Sequence, residues 1–244
     1  MGLKGIYAFT VTRADTPTRR NLLIETLRKG KEKAGCKFTW DVYFSGVEMV
    51  PAAQQYADFC VGYDDNVGQH VVWNRAFEAA RKMKCKYFLK IDDDCNFLSQ
   101  RWLKKLVRAS QMLGDNMILS PRVKGLKHPP PRSEPCEVPI AGGKPIVLEF
   151  LSEAIGGVCR LHPMHLLKQH GFEADVRMPA GSGLDVFISK WCKANTIPMA
   201  YVRHVNVRHD TAKQEEADAA YFKHHSLFQR VPYIPAWSAD DAVC

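Results

Sequence analysis

The chain has 244 residues, enough for one large domain with a substantial core and short for two complete domains joined by a linker. Its 46% hydrophobic and 25% charged residues exclude wholesale disorder and fibrous repeats, and no run approaches the roughly 20 apolar residues that span a bilayer. The net charge of +8 suits nucleic acid or another polyanion, with basic residues clustered in Arg28–Lys33, Arg81–Lys86, Arg101–Arg108 and Arg122–Arg132, although solvated helix faces explain most such charge. The 8 cysteines are scattered without a Cys-x-x-Cys pair and read as reduced structural thiols. Met1–Lys4 lacks the zones of a signal peptide, so a cytoplasmic location is expected.

Gly5–Val11 is a β-rich apolar run, followed after polar Thr12 and Arg13 by a helical pattern over Asn21–Lys33. Phe38–Phe44 reads as a second strand and Asp58–Gly62 as a short third, leading into the turn-rich Tyr63–Gly68. Val71–Lys84 is helical, with Val72, Ala76, Ala79, Ala80 and Met83 near one face. Tyr87–Ile91 is a buried strand that stops at three consecutive aspartates. A helix over Trp102–Leu113 and a strand over Met117–Ser120 follow. Lys127–Pro139, with prolines at 129, 130 and 131, is a loop, because proline fits neither helix interior nor central strand.

Further strands are expected at Ile146–Leu151, Ile155–Arg160 and Ala200–Val207, and helices at Pro163–His170, Asp185–Ala194 and Thr211–Phe228. An aromatic, proline-rich tail over Val231–Trp237 closes the chain. Strands alternating with helices predict an α/β fold of mostly parallel, Rossmann-like sheet flanked by helices, with a ligand site at the carboxyl ends of the strands. One domain is expected over 1–244, with a first half of about 1–120, a second of about 121–210 and a C-terminal helix and tail over 211–244.

The acidic triplet falls at such a strand end. Side chains alternate along extended backbone, so Asp92 and Asp94 point one way and Asp93 another. Two carboxylates on one side form a hard, oxygen-rich site suited to Mg²⁺ or Mn²⁺. A solvated turn or a helix cap is the simpler alternative.

In these residues the chain resembles the inverting glycosyltransferases of the GT-A fold, family 2 type, over about Gly5–Asp210. Asn66-Val-Gly68 followed by Asn74 is similar to that family's Asn-x-Gly…Asn approach. Ile91-Asp-Asp-Asp94 is similar to the end of its Asp-x-Asp strand, and Ile155-Gly-Gly-Val-Cys-Arg160, Gly171-Phe-Glu and Gly183-Leu-Asp185 resemble its acceptor-side region. The resemblance implies a nucleotide-sugar donor, expected to be a UDP-sugar, and a divalent cation held by Asp94 and Asp92, with Asp92 reaching ribose or a metal-bound water. His209 is implied as a further ligand, against the alternative of a structural histidine.

Donor contacts are implied for Thr10, Thr12, Arg13, Asn66, Gly68, Asn74 and Asp93, and close backbone approach to the sugar at Gly156 and Gly157. Capping and turn formation remain open for Asn66 and Asn74. Asp185 is the expected general base, with helix N-capping as its alternative. The family commonly has Glu-Asp after a glycine, where this chain has Gly181-Ser-Gly-Leu before the aspartate. Trp191 and Trp237 stack on sugar or base or, more simply, pack in the core.

Two other functions compete. A sugar-phosphate nucleotidyltransferase would also use paired aspartates and a metal, but Thr10–Arg20 has no glycine for a phosphate loop. A non-enzymatic nucleic-acid-binding domain accounts for the charge of +8 and leaves the acidic strand end unexplained. The basic surface also suits a glycosyltransferase whose acceptor is a hydroxylated base in DNA, as in some phage-type modification enzymes.

Overall fold

The computed structural model describes residues 5–126, 129–140, 144–152, 158–174 and 184–210. Gly156, Gly157, the helix expected over 211–228 and the tail with Trp237 lie outside the described residues. The first β-rich run forms β1 (Ile6–Thr12), and helix α1 (Pro17–Lys33) follows directly. It starts four residues before the periodic pattern does, because the Thr16 hydroxyl caps the Arg19 amide at 3.3 Å and Pro17 occupies the first turn, where its missing N–H costs nothing.

Then come β2 (Thr39–Ser45), a 3₁₀ turn at Pro51–Gln55, β3 (Phe59–Tyr63), α2 (Gly68–Lys82) and β4 (Tyr87–Ile91). The buried face of α2 carries Val72, Trp73, Ala76 and Ala80, whereas Met83, expected there, sits just past the helix and is 51% exposed. A strand not expected from the sequence, β5 (Cys95–Phe97), precedes α3 (Trp102–Met112), β6 (Ile118–Lys124) and a short β7 (Cys136–Val138). β7 falls inside the segment expected to be loop and is accommodated there as an edge strand, beyond the three prolines. The chain continues through β8 (Ile146–Phe150), β9 (Cys159–Pro163), α4 (Met164–Gln169), α5 (Leu184–Ala194) and β10 (Met199–His209).

The strands form one sheet in the order β3-β2-β1-β4-β9-β6-β10-β8-β7, with β5 added against β10. Among the described residues, seven of its ten strands run in one direction, with β5, β8 and β9 reversed. Helices cover both faces. On one, Trp73 of α2 packs edge-on against Phe9 and Phe88; on the other, Phe97 stacks on Trp102 and meets Trp40 edge-on beneath Gly30 of α1. This is the mostly parallel α/β architecture expected, and it brings the ends of β1, β2, β4 and β10 to one edge.

Candidate donor and metal site

A cavity of about 340 Å³ opens at that edge. Thr12 reaches it from the end of β1, Ser45 from β2, Asp92, Asp93 and Asp94 from just beyond β4, and His209 from β10. The pairing of β5 with β10 explains one meeting that sequence spacing cannot show. Register places His209 opposite Cys95, so the residue before Cys95 is delivered to the histidine, and His209 Nε2 lies 3.0 Å from Asp94 Oδ2.

β4 ends at Ile91, and the turn through Asp93 and Asp94, rather than strand alternation, separates the three aspartates. Asp93 turns toward β1 and α1, accepting the Thr12 hydroxyl at 2.6 Å on its carboxylate and the Thr26 hydroxyl at 2.9 Å on its backbone carbonyl. Asp92, Asp94 and His209 converge, with one ligand atom from each within 4.8 Å of the others. Asp94 is 3% exposed, and its Oδ1 receives no hydrogen bond from the described residues. Burial raises the Asp92 carboxyl against the pull of Lys90, and burial together with the Asp94 charge pushes Asp93 up to about 6. Burial alone would lower His209, yet the Asp94 hydrogen bond and charge outweigh it and raise the imidazole. Crowded, under-compensated carboxylates with an orphaned buried oxygen and one imidazole fit a hard divalent cation.

Two buried cations sit beneath this cluster, and the sequence reading did not single them out. Lys90 and Arg160 face each other across the β4–β9 pair, 3% and 0% exposed. Lys90 is ion-paired with Asp92, and Arg160 Nη2 lies 2.7 Å from Asp185 Oδ1. A lysine inside Tyr-Phe-Leu-Lys-Ile was the available signal, since lysine is almost never fully buried without a partner. Arg19, from the first turn of α1, and Gln69 also line the cavity.

The other expected residues divide. Arg13, Gly68 and Asp185 line the cavity, and Gly68 has the positive φ of 77° that a side chain would resist. Asn66 lines it while its Oδ1 accepts from the Ser45 hydroxyl at 3.1 Å and the Gly68 amide at 3.3 Å. Thr10 does not line it: it is fully buried and accepts Trp40 Nε1 at 3.0 Å. Asn74 is also outside the lining, its amide bound at both ends to the Ala174 backbone at 2.8 and 2.9 Å. Trp191 packs edge-on against Phe172 at 4.8 Å, the core fate of that tryptophan.

No family model matches the chain, and no curated protein matches it significantly in sequence. Solved structures do match in shape. TarS 1-349 of S. aureus superposes with a TM-score of 0.56 at 11% identity, covering 84% of this chain and 60% of that one. The same protein in complex with UDP gives 0.55 at 13% identity, covering 87% and 62%. GalNAc-T7 with UDP, GalNAc and Mn²⁺ gives 0.58 at 12% identity, covering 85% and 44%. The chain thus spans less than two thirds of the length of these structures. At such identities the likeness is one of fold, and the fold of this chain is GT-A-like.

Proposed function

We propose that this protein is a metal-dependent glycosyltransferase of the inverting type, moving a sugar from a nucleotide diphosphate-sugar to an acceptor hydroxyl. The observation that carries the reading is the convergence of Asp92, Asp94 and His209 at the strand-end edge of a GT-A-like sheet, beside an open cavity. UDP is the expected nucleotide, in keeping with the UDP complexes of TarS and GalNAc-T7, and Mn²⁺ the expected metal, Mg²⁺ its substitute. Asp92, Asp94 and His209 would hold the cation, which when bound would supply Lewis-acid stabilisation of the departing diphosphate.

The remaining work falls to the protein. Arg13 and Arg19 line the cavity and present guanidinium donors to phosphate oxygens. Thr12 fixes Asp93 away from the metal ligands. Asp185 accepts the proton of the acceptor hydroxyl as its oxygen bonds to the anomeric carbon; the bond from that carbon to the diphosphate breaks on the opposite side, and its electron pair leaves with the diphosphate. Arg160, itself fully buried, sets the Asp185 carboxylate at the cavity wall. In this reading its place at the start of α5 serves catalysis rather than capping alone.

The acceptor proposed is a hydroxylated base in DNA. A second cavity of about 500 Å³ supports it, bordered by Lys105, Arg108, Lys144 and His204 over apolar Met112, Ile146 and Val147, with no carboxylate among its lining residues. The reaction is placed in the cytoplasm, in keeping with the seven free cysteines among the described residues. A panel of nucleotide-sugars with Mn²⁺ or EDTA, read as transfer to hydroxymethylated DNA or as hydrolysis, tests the whole reading. Turnover indifferent to EDTA rejects the metal; turnover on small acceptors alone, with no binding or labelling of DNA at low salt, rejects the DNA acceptor and leaves the transferase.

A further inference from the structure

We infer that Arg122, Arg132 and Arg203 form an anchor for a backbone phosphodiester of the acceptor strand, on the same face of the sheet as the Arg160–Asp185 pair. The inference rests on the DNA-acceptor reading above and deepens it by naming where the strand is gripped.

The three arginines come from separate parts of the chain: Arg122 from β6, Arg132 from just beyond the three prolines, and Arg203 from β10. They converge on Glu149 of β8, which is 3% exposed. Arg122 Nε and Arg132 Nη1 lie 3.3 and 3.4 Å from its Oε2, and Arg203 Nε lies 3.8 Å from its Oε1. Among the described residues no other carboxylate is within ion-pair distance of these arginines, so one negative charge faces three positive ones.

The pairing is also loose. A tight arginine–carboxylate fork closes to about 2.7–2.9 Å. Here the contacts are longer, and Glu149 Oε2, although buried, accepts no hydrogen bond from the described residues. The carboxylate gathers the guanidiniums against their mutual repulsion without using up their donors, and the side chains of Arg132 and Arg203 open to solvent. Arg203 reaches the cluster because β10 breaks its register with β6 between Val202 and Asn206.

Register fixes the face. Leu119 of β6 stands opposite Leu161 of β9, so Ser120 shares a face with Arg160; Tyr201 pairs with Ser120, and Glu149 with Tyr201. Arg160, which holds Asp185, and Glu149 therefore lie on one face, three strand spacings or about 14 Å apart. Arg122 follows Ser120 by two residues, toward the edge where His209 and the cavity lie. A base must leave the stack for its hydroxyl to reach a site at that edge, and its strand then stays outside the cavity. The phosphodiesters of that strand need donors on this face, and guanidinium forks match phosphate oxygens.

Arg132→Gln and Arg203→Gln test the anchor, made separately so that Glu149 keeps two partners in each. Arg81→Gln, an exposed arginine of α2 paired with Glu78, is the control for general surface charge. Binding of a fluorescein-labelled, hydroxymethylated DNA oligonucleotide is followed by anisotropy over a range of salt. Each cluster variant should bind about three- to tenfold more weakly at low salt, with a log–log salt slope shallower by about 1, and should keep the native affinity for UDP with Mn²⁺. Arg81→Gln should match the native protein. Native DNA affinity and slope in either folded cluster variant, an equal loss in Arg81→Gln, or a parallel loss of UDP affinity overturns the inference and leaves the DNA acceptor standing. Failure of the native protein to bind DNA at low salt overturns the acceptor reading and the inference with it. Circular dichroism confirms that each variant is folded before its binding is used.

Discussion

The two halves of the sheet solve different problems. In the first, β3-β2-β1-β4 are all parallel and in unbroken register, each strand followed by a turn or helix that returns it to the same end. The second mixes directions: β9 and β8 run backwards, β10 carries an irregularity between Val202 and Asn206, and β5 is grafted on at the end of β10. Regular parallel pairing stacks strand ends at one edge, which builds the cavity. The irregular half then brings in side chains that parallel order does not supply: His209 through β5 and β10, and Arg160, with its partner Asp185, through the reversed β9. A regular scaffold gives the place, and the departures from regularity give the chemistry.

The largest expected effect separates the two contributions directly. Asp94→Ala should lower transfer by at least about 100-fold and abolish the rise in melting temperature that Mn²⁺ produces in the native protein, because binding to the folded state alone is what raises it. Asp185→Asn should lower kcat by a comparable factor, about 10² to 10⁴, yet leave the affinity for nucleotide with Mn²⁺ unchanged. Asparagine is chosen because its oxygen still accepts from Arg160, which would otherwise be left buried without a partner. Equal loss of nucleotide affinity in both variants would erase the division between a donor half and an acceptor half.

A smaller effect tests the rigidity of the first half. Alanine normally stabilises a helix interior relative to glycine by about 1 kcal/mol, but a Cβ on Gly30 would meet the buried Trp40 ring at 2.5 Å and Phe97 at 3.0 Å. Gly30→Ala should therefore lower stability by about 1–3 kcal/mol in urea unfolding with an unchanged slope. A neutral or stabilising result would show that Trp40 has room to move.

The smallest effect concerns a buried polar group in the same half. Burial raises the Asp41 carboxyl above its ordinary 3.8, although the Tyr7 hydroxyl donates to it at 2.5 Å. The folded chain then holds this proton more tightly than the unfolded chain, so native stability falls as pH rises from below 3.8 through the raised folded value. Asp41→Asn lacks that fall while keeping an acceptor for Tyr7. Its melting temperature relative to native protein should climb between pH 4 and pH 8, and a difference independent of pH would refute the assignment.

Much of this arrangement was legible from residues alone. The run Tyr87–Ile91 is apolar enough to be a strand by composition, and its abrupt stop at Asp92 marked the end where ligands gather. Asp93 was expected to face away from its neighbours by strand alternation; it does turn toward Thr12, but through the turn that follows Ile91 and not by the period of a strand. Thr10 and Asn74 were placed in the donor pocket by resemblance, and neither lines the cavity. Local pattern does not say which face of a strand or helix a polar residue joins once Trp40 or Ala174 competes for it. Strand β5 escaped notice because three residues carry no periodicity; only its partner β10 makes it a strand.

The sequence by itself determined the alternation of strands and helices and the position of the acidic strand end, because these depend on residue patterns within a few positions of the chain. The meeting of His209 with Asp94 across a gap of more than a hundred residues, implied beforehand only by resemblance, and the burial of Lys90 and Arg160 as partners of Asp92 and Asp185 were decided by tertiary structure. Those contacts depend on strand order and register, which are set by the packing of the whole sheet and leave no trace in local spacing.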